Sequence, residues 1–466
     1  MSDIMYSAGR VARSPAFKFF LISFLILLLL IPLLIVSGLV SEREGRSREV
    51  ERDVARTWGG AQQLTGPFIV VPYMVRIETK DGDKLIAQTQ ERRAVFLPED
   101  LTISGTGASK VLHRSIFDIN VYTASLAVSG RFAAPDMNEI DPNAISVRWR
   151  DATLVLALSD VAGLKEAATV TINGREAIPF APSLGVPGTY TSGMHAKLSG
   201  APSAIEGDTA LKDFSFQANL VFTGSGTMTI APAARETRFE LTSDWAHPSF
   251  MGAFLPVDRT VSEKGFSAKW RVPHLARSVP QAWMLADGGF ERFSQHQFGV
   301  AFYQPLDFYG LVTRALKYGI LFLAVGFMGV FMLELLSGKR VHSVQYLFVG
   351  LAMVFFYVLL LSLAEHIGFT PAYIAASVAT GGMLSTYVSS ALESARSGLI
   401  MAALFALLYG FLYLILQLED YALLAGAGLG FVALTVVMFA TLRIDWSGLG
   451  ATSIRGPAGD VRPGGA

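Results

Sequence analysis

The apolar run from Phe19 to Leu39, broken only by Ser23, Pro32, Ser37 and Gly38, constrains this chain more than any other feature. A helix crossing a bilayer takes about 20 mostly apolar residues, and this run supplies them. Five more runs crowd the last third: Ala315–Leu336, Val344–Ala364, Thr370–Ser390, Leu399–Gln417 and Tyr421–Leu442. The run at Thr370–Ser390 is the most polar, with Thr380, Ser385, Thr386 and the pair Gly381-Gly382, which suits a face packed on other helices. The expectation is therefore a membrane protein with six transmembrane helices, one N-terminal and five C-terminal. Composition agrees, since 52% of residues are hydrophobic and 16% charged, against about 25% charged in soluble domains. Arg10, Arg13 and Lys18 precede the first run as they would a signal peptide. Its apolar core exceeds the roughly 7–15 residues of a cleaved signal and no small-x-small site follows, so an uncleaved anchor is expected.

Lys and Arg in short loops stay on the cytoplasmic side. Lys339-Arg340, Arg396, and Arg443 with Arg455 and Arg462 fall in alternate loops, while Glu365-His366 and Glu419-Asp420 occupy the others. This pattern places both termini in the cytoplasm: residues 1–18, and a tail over 443–466 whose Gly/Pro-rich end reads as disordered. The five arginines between Ser41 and Arg56 argue locally for the reverse. Parity over all six spans decides for the first arrangement.

Between the first two spans lies an insert long enough for its own core. It opens with a juxtamembrane helix over 41–65, because Val50, Val54, Trp58 and Ala61 recur at helical spacing. Over 66–312 the pattern turns to period two, most clearly in Phe214–Leu220. Asp81-Gly82 and Asn173-Gly174 have the composition of tight hairpin turns. Further strands are expected at Phe68–Val75, Ser115–Val128, Ala144–Arg150, Ala168–Ile172, Met228–Ile230 and Thr237–Leu241. The reading is a mostly-β extracytoplasmic domain, sandwich-like or an open barrel, with Ala181–Gly207 as a Gly/Pro/Ser-rich mobile loop. The five-helix membrane domain then covers 315–442.

Few residues carry recognisable chemistry. Absence of cysteine excludes disulfides, thiolate metal sites and cysteine nucleophiles. A formal net charge of zero gives no general attraction to nucleic acid. The seven histidines lack ligand spacing, so no metal is expected, and nothing calls for a cofactor. Gly224-Ser225-Gly226 lacks the spacing of a hydrolase elbow and reads as a β-turn. Gly426 and Gly430 form a Gly-x-x-x-Gly pair inside an apolar run, which reads as helix packing rather than a nucleotide loop. Intramembrane ionisable groups are functional suspects, which singles out Glu334, Glu365 and His366. Glu334 has Lys339 and Arg340 just beyond it, so local pairing or snorkelling competes with a relay. The spans offer no series of acids for a proton path. The densest cluster of distinctive residues is Trp245–Pro256, where Trp245, His247, Phe250 and Phe254 make either a loop packed on the β core or an interaction loop.

At that cluster the sequence resembles the CreD family of inner-membrane proteins, named for cell-envelope integrity. The resemblance rests on Trp245-x-His247-Pro248-Ser249-Phe250-x-Gly252-x-Phe254-Leu255-Pro256 and Val261-Ser262-Glu263-x-Gly265-Phe266-x-Ala268-x-Trp270. It continues through Arg314-Ala315-x-Lys317-Tyr318, Gln345-Tyr346-Leu347-x-Val349-Gly350-Leu351, Glu365-His366-x-Gly368-Phe369-Thr370 and Ile444-Asp445-Trp446, with Gly66-Pro67 at the start of the β region. Residues 76–210 and the tail resemble it least. It implies a bacterial inner-membrane protein with a periplasmic domain, acting in an envelope-stress response, with no reaction and no catalytic residue assigned. Its expected partners are membrane lipids and an envelope protein or glycan. Two other classes stand beside this non-enzymatic reading: a transporter or lipid/peptide export factor built on the C-terminal helices, and a periplasmic hydrolase.

Overall fold

The computed structural model describes residues 15–81, 84–185, 192–206, 210–287, 293, 295–302, 308–418 and 422–441. The tail expected over 443–466 and the first fourteen residues lie outside these. The chain divides into two compact units, Met1–Arg46 with Leu306–Ala466, and Ser47–Pro305. One is helical and the other is built from strands.

Seven helices carry the argument: α1 (Pro15–Trp58), α2 (Phe308–Lys317), α3 (Gly319–Ser337), α4 (Ser343–Ile367), α5 (Phe369–Ala391), α6 (Ala395–Gln417) and α7 (Ala422–Thr441). Among the described residues, α1 from Lys18 onward, α3, α4 and α6 are long and apolar enough to cross a membrane. The apolar run and the charged stretch after it form one uninterrupted 44-residue helix, α1, with Pro32 inside it. The helix expected over 41–65 ends at Trp58. Gly59 takes φ +123°, and a Cβ there would stand 2.4 Å from the Thr223 carbonyl oxygen, so only glycine makes this exit. Ala61, counted by its spacing on the helix, precedes a strand that opens at Gln62.

The run expected to begin at Ala315 begins instead at Gly319. Arg314 and Lys317 belong to the last turn of α2, a separate amphipathic helix, and the apolar stretch proper follows Tyr318. Turn chemistry sets the other ends. Gly338 closes α3 at φ +66°, and His342 caps α4, its Nδ1 accepting from Val344 N at 3.3 Å while Gln345 Oε1 accepts from His342 N at 2.8 Å. In α5 the small polar residues turn inward: Thr380 is buried, donates to Ala376 O at 2.7 Å and meets Tyr409 Oη at 2.8 Å. The Gly-x-x-x-Gly pair behaves only half as its spacing suggests. Gly426 lies against the Tyr318 ring, while Gly430 has no neighbour where a Cβ would go.

The other unit runs, in chain order, through β1 (Gln62–Asp81), β2 (Lys84–Phe96), β3 (Asp100–Arg114), β4 (Phe117–Phe132), β5 (Ala144–Val147), β6 (Thr153–Leu158), β7 (Thr169–Ile172), β8 (Glu176–Pro179), β9 (Ala181–Pro182) and β10 (Gly193–Lys197). It continues with β11 (Ile205–Glu206), β12 (Ala210–Leu211), β13 (Phe214–Ser225), β14 (Thr227–Ala231), β15 (Glu236–Ser243), β16 (Pro248–Gly252), β17 (Asp258–Ser262), β18 (Gly265–Pro273), β19 (Ala282–Met284) and β20 (Phe298–Phe302). A ten-stranded sheet follows the order β16-β20-β14-β1-β6-β10-β9, with β2, β5 and β19 attached. An eight-stranded sheet follows β17-β18-β15-β3-β4-β13-β7-β8.

The two sheets share one hydrophobic core. Phe302 of β20 stacks on Tyr122 of β4 at 4.5 Å, and Phe298 meets Phe239 and Trp270 at 6.2 and 5.9 Å. Tyr122 donates to Thr227 O at 2.7 Å, and burial raises its pKa. This is a sandwich, the first of the two forms the sequence left open. Asn173 (φ +53°) and Gly174 (φ +67°) turn β7 into β8. β1 and β2 pair through Asp81↔Lys84 around the second predicted turn, whose Gly82 lies outside the described residues. The segment expected as a mobile loop, Ala181–Gly207, instead contributes β9, β10 and β11. Met194, Ala196, Leu198, Ala201 and Ala204 are buried there, and that apolar spacing anchors a stretch whose Gly and Ser content reads as loop.

The outer face of β3–β4 also carries the end of α1. Val54 packs on Ile119 and Val121, with Val50, Trp58 and Leu112 around them. Thr223 Oγ1 donates to the Trp58 carbonyl, and Lys165 Nζ stands 5.3 Å from the Trp58 ring centroid.

Candidate functional site

Glu334 is buried near the end of α3, at 6% exposure. Its counter-ion is Lys18 of α1, whose ammonium forms an ion pair with Oε1. Tyr346 of α4 donates to Oε2 at 2.8 Å, and Lys18 Nζ also donates to Val341 O at 3.3 Å. Neither neighbour proposed from sequence is the partner: Lys339 pairs with Glu393 in the connection between α5 and α6. Glu365, near the end of α4, repeats the arrangement. Its side chain is 7% exposed, Arg43 of α1 stands 3.7 Å from Oε1, and Tyr309 of α2 donates to the same oxygen at 3.2 Å. His366 is exposed, with Nδ1 2.9 Å from the Ser362 carbonyl of its own helix.

The two carboxylates thus form two separate clasps, each of one acid, one cation from α1 and one tyrosine. At 1.5 Å per residue, Lys18 and Arg43 stand about 37 Å apart along α1, somewhat more than the roughly 30 Å hydrocarbon layer. A buried carboxylate without a counter-charge is strongly disfavoured, so Glu334 holds α1 in register against α3, and the longer contact of Arg43 with Glu365 adds a weaker tie to α4. Lys18, Arg43, Tyr309 and Tyr346 were not singled out from sequence. The available signal was positional: bases flank the first apolar run on both sides, and a single acid stands near the end of each of two later runs.

The Trp245 cluster lies at the edge of the sandwich. Pro248–Gly252, within the stretch read as a loop, is the edge strand β16. Trp245 Nε1 donates to His247 O at 3.0 Å, and the two rings meet edge-on at 6.4 Å. Phe250 meets Phe266 and Trp270 at 5.8 and 5.9 Å, and Phe254 meets Phe298 at 5.8 Å. Trp245, Phe250 and Phe254 are half-buried and pack on the core, while the His247 imidazole is exposed. The four residues do not converge on a pocket; three close the core and one faces outward.

Among the described residues no cluster of three or more His, Asp or Glu could hold a metal ion. The helical unit has a groove of about 570 Å³ between α5 and α6, lined by Tyr373, Ser377, Gly381, Ser385, Phe405 and Tyr409 among others. Glu334 and Glu365 are not among its lining residues.

The family model described as "Inner membrane protein CreD" matches residues 14–447. A relative of that name from Escherichia coli (strain K12) is 33% identical over 422 residues, covering 90% of this chain and 91% of its own length. A match running from the start of α1 past the end of α7, with both units inside it, carries the conclusion: this chain belongs to the CreD family of inner-membrane proteins.

Proposed function

We propose that this chain is a non-enzymatic inner-membrane protein that supports envelope integrity, with its β domain in the periplasm binding an envelope protein or glycan. Six helices, α1 and α3–α7, span the membrane in this reading, and both termini are cytoplasmic. The observation that carries it is the use of the intramembrane acids. Glu334 and Glu365 are each engaged by a cation of α1 and a tyrosine, so they serve to fasten the first span to the others. A proton-coupled carrier needs acids that exchange protons along a path, and these two are committed to separate ion pairs. Helix α1 contributes residues to both units, which suits a span that reports on the β domain.

The test exploits a chain without cysteine. Single cysteines replace the exposed Ala108, Ser337 and Ala395, and intact cells are treated with a membrane-impermeant maleimide. Labelling of Ala108→Cys alone is the expected result. Labelling of the other two without Ala108→Cys inverts the topology and removes the periplasmic reading. The groove between α5 and α6 favours a second reading, an export factor for a lipid or peptide, with the small residues of α5 lining the path. Substitution of Gly381 and Ser385 by leucine fills that groove, and loss of envelope protection with normal membrane levels selects this alternative.

A further inference from the structure

The hairpin of β3 and β4 outruns the sheet it belongs to. On one side β15 pairs with β3 only as far as Gly107, and on the other β13 pairs with β4 only from Val121 onward. Past those limits, among the described residues, the two strands pair with each other alone, up to the turn at Ser115 and Ile116. A two-stranded ribbon is marginal by itself, and one face of this one is covered by the end of α1, where Val54 packs on Ile119 and Val121 with Leu112 against them. Two contacts fix its direction. Thr223, the partner of Thr123 in β4, donates to the carbonyl of Trp58, the last residue of α1. Val54, one turn back along α1, packs nearer the hairpin turn, on Ile119 and Val121. Ribbon and helix therefore run side by side, with the turn pointing toward the apolar part of α1.

From Thr123 to Ser115 the strand covers about 26 Å, and from Trp58 back to Leu39 the helix covers about 29 Å. The turn thus comes within about one helical turn of the level at which the apolar run ends, which is the level of the lipid headgroups. Its chemistry suits that layer. His113 is engaged across the ribbon by Asp118 at 2.5 Å, whereas the exposed Arg114 forms no ion pair among the described residues. Ser115 is exposed, and Ile116 is 36% exposed. A forked guanidinium offers several N–H donors to phosphate oxygens, and an aliphatic side chain beside it fits the boundary with the acyl chains. We infer that Arg114, Ser115 and Ile116 form a lipid-binding tip seated in the headgroup layer, with Arg114 on lipid phosphate and Ile116 toward the chains. This needs only that α1 crosses the membrane, on whichever side the β unit lies.

The experiment uses the full chain, purified and reconstituted in vesicles of phosphatidylcholine with about 30% phosphatidylglycerol. Ser115→Cys supplies the sole thiol, which carries a fluorophore quenched on contact with lipids brominated in the upper part of their acyl chains. Quenching is expected to exceed by at least about threefold that at Ala108→Cys, which is exposed and lies about 23 Å back along β3. Arg114→Glu in the Ser115→Cys background replaces a phosphate donor by a like charge and is expected to lower the quenching at least about twofold. Arg114→Lys keeps the charge and is expected to retain most of it. Quenching at Ser115→Cys no greater than at Ala108→Cys overturns the assignment. So does a label shielded from aqueous iodide yet untouched by the brominated lipid, since protein then covers the tip. Quenching that Arg114→Glu leaves unchanged overturns it as well.

Discussion

The two cations that flank the apolar run of α1 hold the helical unit together unequally. Lys18→Ala removes the counter-charge of a buried carboxylate, and a loss of about 3 kcal/mol is expected, as for other broken buried pairs. Lys18→Ala combined with Glu334→Ala should lose less than the two single changes added together, and thermal unfolding of the four proteins in detergent measures that coupling. Arg43 is 43% exposed and 3.7 Å from Glu365, so Arg43→Ala should cost under about 1 kcal/mol in the same assay. Gly59→Ala is different in kind. It places a methyl against the Thr223 carbonyl at positive φ, and at least about 2 kcal/mol is expected from strain and clash. At this scale the acids were legible because a charge in an apolar run stands out. Their partners were not, because Lys18 lies 316 residues from Glu334 in the chain and only the fold brings them together.

Strands β15 and β18 show an electrostatic device of a whole element. Glu236 accepts from Arg271 Nε at 2.6 Å and from Arg238 Nη2 at 2.7 Å. Desolvation acts to raise its pKa, but the two arginines outweigh it and hold the carboxyl below its ordinary value of 4.5. A folded value below the unfolded one stabilises the fold fully above about pH 4.5 and loses that contribution as pH falls through the folded value. Glu236→Gln should therefore shallow the acid limb of the stability–pH curve and leave its slope above pH 6 unchanged, as followed by denaturant unfolding at roughly half-unit steps. Legibility varied by element in the same physical way. Strand β13 alternates buried and exposed residues over Phe214–Leu220, and its period is plain. Strand β6 is central, between β1 and β10, and buried on both faces, so Thr153–Leu158 reads as an apolar run without period. Strand β3 went unread because Gly, Ser and Thr dominate its first half. Strand β16 was masked by Pro248 and Gly252, residues that an edge position tolerates.

For the whole molecule, the apolar runs announced a membrane protein, and the strand-rich stretch announced its second unit. The spacing of Val50, Val54 and Trp58 disclosed a helix directly after the first apolar run; that the two are one unbroken helix was not disclosed, since its first part is apolar and its last part charged. Within it, Pro32 has no N–H, and the Leu28 carbonyl loses its donor four residues on. Pro32→Ala restores that bond. A gain of about 1 kcal/mol in thermal unfolding is expected, with slower hydrogen exchange confined to residues near Leu28–Val36. Lys18 ties this stretch at one end through a buried ion pair, Arg43 makes a looser contact at the other, and Pro32 falls close to midway between them. A bend at the proline then swings the segment beyond it more easily than the helix slides along its own axis, because any slide must break the Lys18–Glu334 pair.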